Sequence, residues 1–271
     1  MTTIPDTEKF WGTDTFVSFV FPLNADGSLQ APDTSPYEGL EIDGTRNFNL
    51  TPAQGSTVVN IGNGRLRGTI YRAPREASSA EFTIGFTQPK LKAALQGSNT
   101  YTVGEGRFNG RLTNRQGSEP KVALLVVQNG SNDNGDDRFA AYFIPKARAI
   151  PRDAPRNENA LEETFQITPD ISKKQIWGKR FSLAEHGFTD ATYEEGIFEN
   201  CPKIVAWLAD GIEDTFLLPT DFPAVDPETK MSVFHFDSGV HYNTGLTKSE
   251  VDIVFDYTVS GLLVAVYEFQ P

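Results

Sequence analysis

The sequence predicts a mainly β protein, a β-sandwich or barrel with one short flanking α-helix. Three observations carry that expectation. Residues 121–168 hold two apolar runs on either side of an acidic turn (KVALLVVQ, NGSNDNGDD, RFAAYFIPKARAIP), and then an alternating segment, LEETFQIT. The chain has 20 Phe together with 23 Gly and 17 Pro, and aromatic segments broken by many turns read as short strands. Only one stretch combines a helical apolar stripe with residues that start and stop a helix.

Residues 1–15 are polar and read as an arm that orders on assembly. Residues 16–21 (FVSFVF) predict a strand with Phe and Val on both faces. Segment 22–64 is rich in Gly, Pro, Asn, Asp and Thr, with turn signals at Asp26-Gly27, Asp43-Gly44 and Asn63-Gly64. So long a connection is either functional or contains a hairpin, for which 39–42 and 57–61 are the candidate strands. Residues 66–72 form a strand. Ala80, Phe82, Ile84 and Phe86 alternate with Glu81, Thr83 and Gly85, the pattern of a half-buried strand. Thr87 then caps the helix, Pro89 lies in its first turn and Gly97 closes it, with Leu91, Ala94 and Leu95 as its stripe. Residues 98–118 are turn-rich, with one strand near Arg107.

In the central block, residues 122–127 are apolar at every position, so this strand should be buried on both faces. Residues 139–144 behave alike until Pro145 ends their regular pairing. Leu161, Phe165 and Ile167 face one way, and Glu162, Thr164 and Gln166 the other. Residues 170–191 fit either a strand pair around Gly178 or a frayed helix. Residues 203–209 are a strand ended by Asp210-Gly211, 219–230 a loop with three prolines, and 231–236 a strand. The last segment reads as a hairpin. Val251, Ile253, Phe255, Tyr257 and Val259 share one face, Ser260-Gly261 is the turn, and LLVAVYEF returns. The expected division is a main β domain over 1–200, with 201–271 completing it or forming a small add-on.

Composition narrows the function classes. Cys201 is the only cysteine, which excludes a disulfide framework and a Cys-based zinc site and fits assembly in a reducing cytoplasm. The opening MTTIPDTEKFWG lacks the basic and apolar regions of a signal peptide, and LLVAV is too short to span a bilayer. The net charge of −12 is uneven: residues 171–271 carry 16 acidic and 7 basic side chains, against 20 and 17 in residues 1–170. Such a surface favours solubility and resists sticking to nucleic acid.

No catalytic constellation emerges. The carboxylate pairs Glu162/Glu163 and Glu194/Glu195 are adjacent, so on strands they face opposite sides and make poor acid/base pairs. The acidic turn 129–137 fails the calcium-loop pattern, with Gly130 where Asp is required and Ala141 where Glu is required, and reads as a solvated hairpin turn. The glycines of GEGRFNG lack the spacing and the following Lys of a phosphate loop. His235 and His241 bracket FDSGV with Asp237 between them, but no histidine pair is evident on one face. They read as ordinary surface or edge residues, with no metal and no cofactor expected. Arg148, Arg152 and Arg156 lie in a Pro-broken segment read as a loop beside the sheet. They form a candidate basic patch toward an identical, acidic neighbour.

The order of these parts resembles the tail tube (major tail) proteins of long-tailed bacteriophages. The resembling segments are the alternating strand AEFTIGF, the helix TQPKLKAALQG, the Pro-opened strand EPKVALLVV, the strand AAYFIPKARA and the amphipathic strand EETFQIT. The match is one of pattern and order over a little over a third of the chain. It implies a β-sandwich or barrel flanked by a helix, assembled as stacked hexameric rings around a channel for DNA ejection. It implies no enzymatic activity. The arm 1–15 and the loop 22–64 would make contacts between rings. The implied partners are further copies of the chain and the tape measure, tail terminator and baseplate proteins, in a virion tail assembled in the bacterial cytoplasm. DNA would pass through without specific binding and nothing would insert into a membrane. An acidic lining would keep DNA from binding, because cationic contacts hold phosphate. Glu162, Glu163, Asp252 and Asp256 are the candidate lining carboxylates. The alternatives are another virion protein (decoration, baseplate or tail completion) and a carbohydrate-binding β-sandwich. The latter would use Trp11, Trp177 or Trp207 as stacking platforms, although Trp207 lies in an apolar run that reads as core.

Overall fold

Residues 122–127 have every side chain buried, as an unbroken apolar run in a strand requires. The protein is built outward from them. The structure, a computed structural model, describes residues 11–30, 40–41, 45–51, 56–62, 65–72, 79–84, 95, 100–102, 109–111, 120–135, 137–153, 156–157, 160–161, 163–169, 177–182, 202–237 and 239–269. Its first fourteen strands are β1 (Trp11–Pro22), β2 (Leu40–Glu41), β3 (Thr45–Thr51), β4 (Ser56–Gly62), β5 (Arg65–Arg72), β6 (Ser79–Ile84), β7 (Thr100–Thr102), β8 (Asn109–Arg111), β9 (Lys121–Ser131), β10 (Asp137–Asp153), β11 (Arg156–Asn157), β12 (Ala160–Leu161), β13 (Glu163–Pro169) and β14 (Trp177–Ser182). The rest are β15 (Lys203–Asp210), β16 (Thr215–Leu217), β17 (Met231–Phe236), β18 (Val240–Tyr242), β19 (Leu246–Lys248), β20 (Asp252–Phe255) and β21 (Ser260–Tyr267), with a single helical turn, α1 (Pro227–Lys230), before β17. Among the described residues no helix is long and apolar enough to cross a membrane.

The chain is mainly β, and all of its ladders among the described residues are antiparallel. The large sheet runs β2-β1-β9-β10-β13-β6-β3, with β14 also on β10. It curls, so that β3 packs near β1. The C-terminal segment forms a four-stranded sheet, β15-β21-β17-β18, and a three-stranded sheet, β16-β20-β19.

Among the described residues three hydrophobic cores separate these layers, and strand parity decides which core each side chain enters. Val122, Leu124 and Val126 join Phe82, Phe165 and Ile167 inside the curl. Ala123, Leu125 and Val127 face outward with Phe19, Phe21 and Phe143, and meet Ile204, Phe234, Phe236, Leu262, Val264 and Val266 of the four-stranded sheet. The opposite face of that sheet (Val205, Trp207, Met231, Val233, Leu263, Ala265, Tyr267) packs on Phe216, Ile253 and Phe255 of the three-stranded sheet. In the middle core the Phe19 and Phe234 ring centroids are 4.2 Å apart. At its edge Glu268 accepts from Lys230 Nζ at 2.9 Å and from the Leu29 backbone N–H at 3.2 Å, tying the last strand to the turn after β1.

Several expectations change. Residues 11–15 are part of β1 rather than of an arm. Trp11 pairs with Ser131, and a bulge absorbs the residues before Phe16. The segment 22–64 contains β2, β3 and β4, so β3 is a strand that the sequence pattern did not show. Pro145 interrupts pairing with β9 through a register shift between Ile144 and Ala147, yet β10 continues to Asp153. Arg148 and Arg152 therefore lie in a strand, not a loop, and Arg156 begins β11. Leu161 belongs to a separate short ladder with Arg156. Gly178 lies inside the single strand β14, and α1 falls within the segment read as a loop. The helix expected over 87–97 lies outside the described residues apart from Leu95, which is helical and buried in the core of the curl.

The C-terminal hairpin is the largest correction. β20 pairs with β16 and β19, whereas β21 pairs with β15 and β17, so the two strands belong to opposite sheets of a sandwich. Val251 and Tyr257 are exposed, while Ile253, Phe255 and Val259 enter the core. Gly261 is not a turn residue. It lies in β21, where a Cβ would overlap the Phe236 carbonyl oxygen. A strand glycine here marks a close approach of two backbones.

Candidate functional site

Arg148, Arg152 and Glu163 lie on neighbouring strands of the large sheet, whereas Asp252 lies in the three-stranded sheet. Arg148 pairs across β10 with Thr168 and Lys121; it is half-buried, and its Nε is buried without a hydrogen-bond partner. Glu163 opens β13 opposite Ile84, and Glu162 lies outside the described residues. Asp252 lies on β20, where its carboxylate accepts from the Ser249 hydroxyl while its backbone N–H donates to Ser249 Oγ at 3.0 Å. Its acid group is thus used to brace a turn. Asp256, just beyond β20, is exposed, with its backbone N–H donating to Gly245 O at 2.8 Å. Glu163 and Asp252 therefore lie in different sheets and share no surface through strand pairing.

Of the aromatic candidates, Trp207 is a core residue in contact with Phe216, with ring centroids 5.8 Å apart. Trp11 is exposed and donates its indole N–H to Asp133 Oδ1 at 2.6 Å, bracing β1 against the acidic turn. The tip of that turn, Asp133 to Gly135, is exposed, and the buried Asn132 closes it, its backbone and side-chain oxygens accepting from Gly135 and Asn134.

A cluster that the sequence reading had dismissed is assembled by the β17–β18 ladder. His235 and His241 are direct cross-strand partners, with ring centroids 5.4 Å apart. Asp237 follows His235 at a spacing of two, and its Oδ1 is 3.2 Å from His241 Nε2. One ring nitrogen of each histidine and one Asp237 oxygen lie within 4.8 Å of one another. His241 and Asp237 are solvent-accessible, but His235 is only 4% exposed. His235 Nε2 contacts the Ser260 carbonyl oxygen at 2.5 Å, so Nε2 carries the proton and Nδ1 the lone pair. Nδ1 is buried and has no hydrogen-bond partner.

Burial works to raise the Asp237 carboxyl, but the Gly239 N–H and the two histidines outweigh it and hold the pKa below its ordinary value of 3.8. Tyr257 sits beside His235, and burial, then the charges of Asp237 and Asp256, push its phenol upward. The sequence signal for this cluster was the turn itself. Phe236 pairs with Val240, and that register sets His235 against His241.

Two buried lysines lie in the same half. Lys203 Nζ stands over the Phe222 ring, 2.8 Å from its centroid, and burial depresses its pKa to about 8 against a weaker opposing pull from Asp221. Lys248 Nζ donates to Met231 O at 2.9 Å, and burial lowers its pKa, with Glu228 opposing.

No protein-family model matches the sequence, and no characterised protein is similar to it at a significant level.

Proposed function

We propose that this chain is a structural, non-enzymatic subunit of a bacteriophage tail tube that assembles with its own copies into stacked hexameric rings. The observation that supports the reading is where the resembling segments fall. The strands within AEFTIGF, EPKVALLVV, AAYFIPKARA and EETFQIT are β6, β9, β10 and β13, contiguous in one curled sheet in the order β9-β10-β13-β6. Leu95, from the segment read as the flanking helix, is buried in that sheet's core. Segments scattered over unrelated sheets would have carried no such argument. Assembly proceeds by heterologous contacts around a ring and between rings, which close sheet edges left open in the single subunit. The acidic surface keeps DNA from binding as it passes, and Asp256 is an exposed carboxylate that contributes to it.

A second reading, a decorating or tail-completing virion protein, is favoured by the separate sandwich of residues 203–267, which has a core of its own. Negative-stain electron microscopy of the purified full chain, dilute and concentrated, separates the two. Hollow tubes with a regular ring repeat are the expected outcome. A protein that stays monomeric at every concentration, or closes only single rings, overturns the tube reading in favour of the second.

A further inference from the structure

We propose that His235, Asp237 and His241 form a binding site for a divalent first-row transition metal of the zinc class, clipping the β17–β18 hairpin at the edge of its sheet. Two imidazoles and one carboxylate are a ligand set suited to such ions rather than to calcium or magnesium. The geometry is close to what the ion needs. Ligand atoms about 2.0–2.1 Å from a tetrahedral ion are about 3.3 Å apart; the Asp237 Oδ1–His241 Nε2 separation is 3.2 Å. One ring nitrogen of His235 lies within 4.8 Å of both, and His241 and Asp237 are accessible enough to adjust.

The buried histidine sets this cluster apart from an incidental surface pair. An unpaired polar atom in the interior is costly, because it loses water and gains nothing. His235 Nδ1 is such an atom. The Ser260 carbonyl holds the proton on Nε2, leaving the Nδ1 lone pair free. A ligating histidine commonly donates its other N–H to a backbone carbonyl in this way, which fixes ring and tautomer. Three protein donors leave a fourth position for water or for a group from another molecule. The site does not rest on the tail-tube reading, and either can fail without the other.

The test is calorimetric titration of untagged, chelator-stripped full-length protein with zinc chloride, with thermal unfolding in parallel. One ion per chain is expected, with Tm rising by about 5–10 °C at a hundredfold excess over Kd. His241→Ala removes an exposed ligand and should leave the apo Tm nearly unchanged while weakening zinc binding by about 100-fold. Asp237→Asn should weaken it as well. Cobalt substitution adds a direct readout, since visible bands of a four-coordinate ion are expected in the wild type and absent in His241→Ala. No zinc binding by the wild type, or equal affinity in wild type and His241→Ala, overturns the proposal.

Discussion

Gly261 shows how much one residue can decide. Its φ of +97° lies where side chains are disfavoured, and a Cβ there would overlap Phe236 O and approach Asp237 Cα to 3.3 Å. Gly135 also has positive φ, +83°, but nothing lies within 4 Å of the place its Cβ would take. Gly135→Ala carries the conformational penalty alone, about 1–2 kcal/mol. Gly261→Ala adds an overlap with backbone that no rotamer relieves, and about 3–5 kcal/mol is expected. Urea denaturation of the two variants measures the difference, and equal losses would show that the close approach is not a constraint. This residue also explains a misreading. In sequence Ser260-Gly261 between two apolar runs looks like a turn, because a glycine needed for φ and one needed for space are written alike. His235 and His241 were missed for a related reason. Their proximity depends on register across a ladder, and six positions of separation do not disclose it unless the turn between them is identified first.

Elements were legible in proportion to how far side-chain pattern alone defines them. The two-faced run 122–127 was read as doubly buried and is, because parity is local. Partner choice is not local, so β20 and β21 were joined although they lie in different sheets. Proline was also less final than its chemistry suggests. Pro145 sits where the register with β9 shifts, so β10 absorbs it and runs on through Arg148 and Arg152. At this scale the first residue of β15 carries a pH prediction. Lys203 titrates at about 8 in the folded protein against an ordinary value of 10.5, chiefly through burial. Between those values the unfolded chain holds a proton that the folded protein has released. Stability from this group is therefore lowest below pH 8 and rises as pH goes through the window to 10.5. Lys203→Met keeps an unbranched side chain and removes the titration. Between pH 7.5 and 10 the wild type should gain about 1 kcal/mol on the variant once solvent screening is allowed for, measured by urea midpoints. Parallel curves for the two proteins would sink this account.

For the whole molecule the middle core matters most, because both sheets that border it are buried on their other face too. Without the large sheet, the four-stranded sheet would expose Ile204, Phe234, Phe236, Leu262, Val264 and Val266 to water. At about 1.5–3 kcal/mol for each large apolar side chain, exposing these six is worth about 9–18 kcal/mol. A domain's entire net stability is of the same order, about 5–15 kcal/mol. The C-terminal sandwich should therefore not outlast the large sheet, although its inner core is distinct. Leu125→Ala tests this. Leu125 lies on β9 in the middle core, and Trp207 lies on the far side of the four-stranded sheet. With Trp11 and Trp177 replaced by Phe, Trp207 fluorescence reports only that far core, and far-ultraviolet circular dichroism reports all strands. The substitution should destabilise by about 2–5 kcal/mol. Both signals should shift together, as one cooperative transition demands. A Trp207 transition that stays in place while the dichroism splits would mean two independent units joined by a weak interface. The mass of residues 203–267 would then be an appendage free to move, rather than a wall rigidly set against the large sheet.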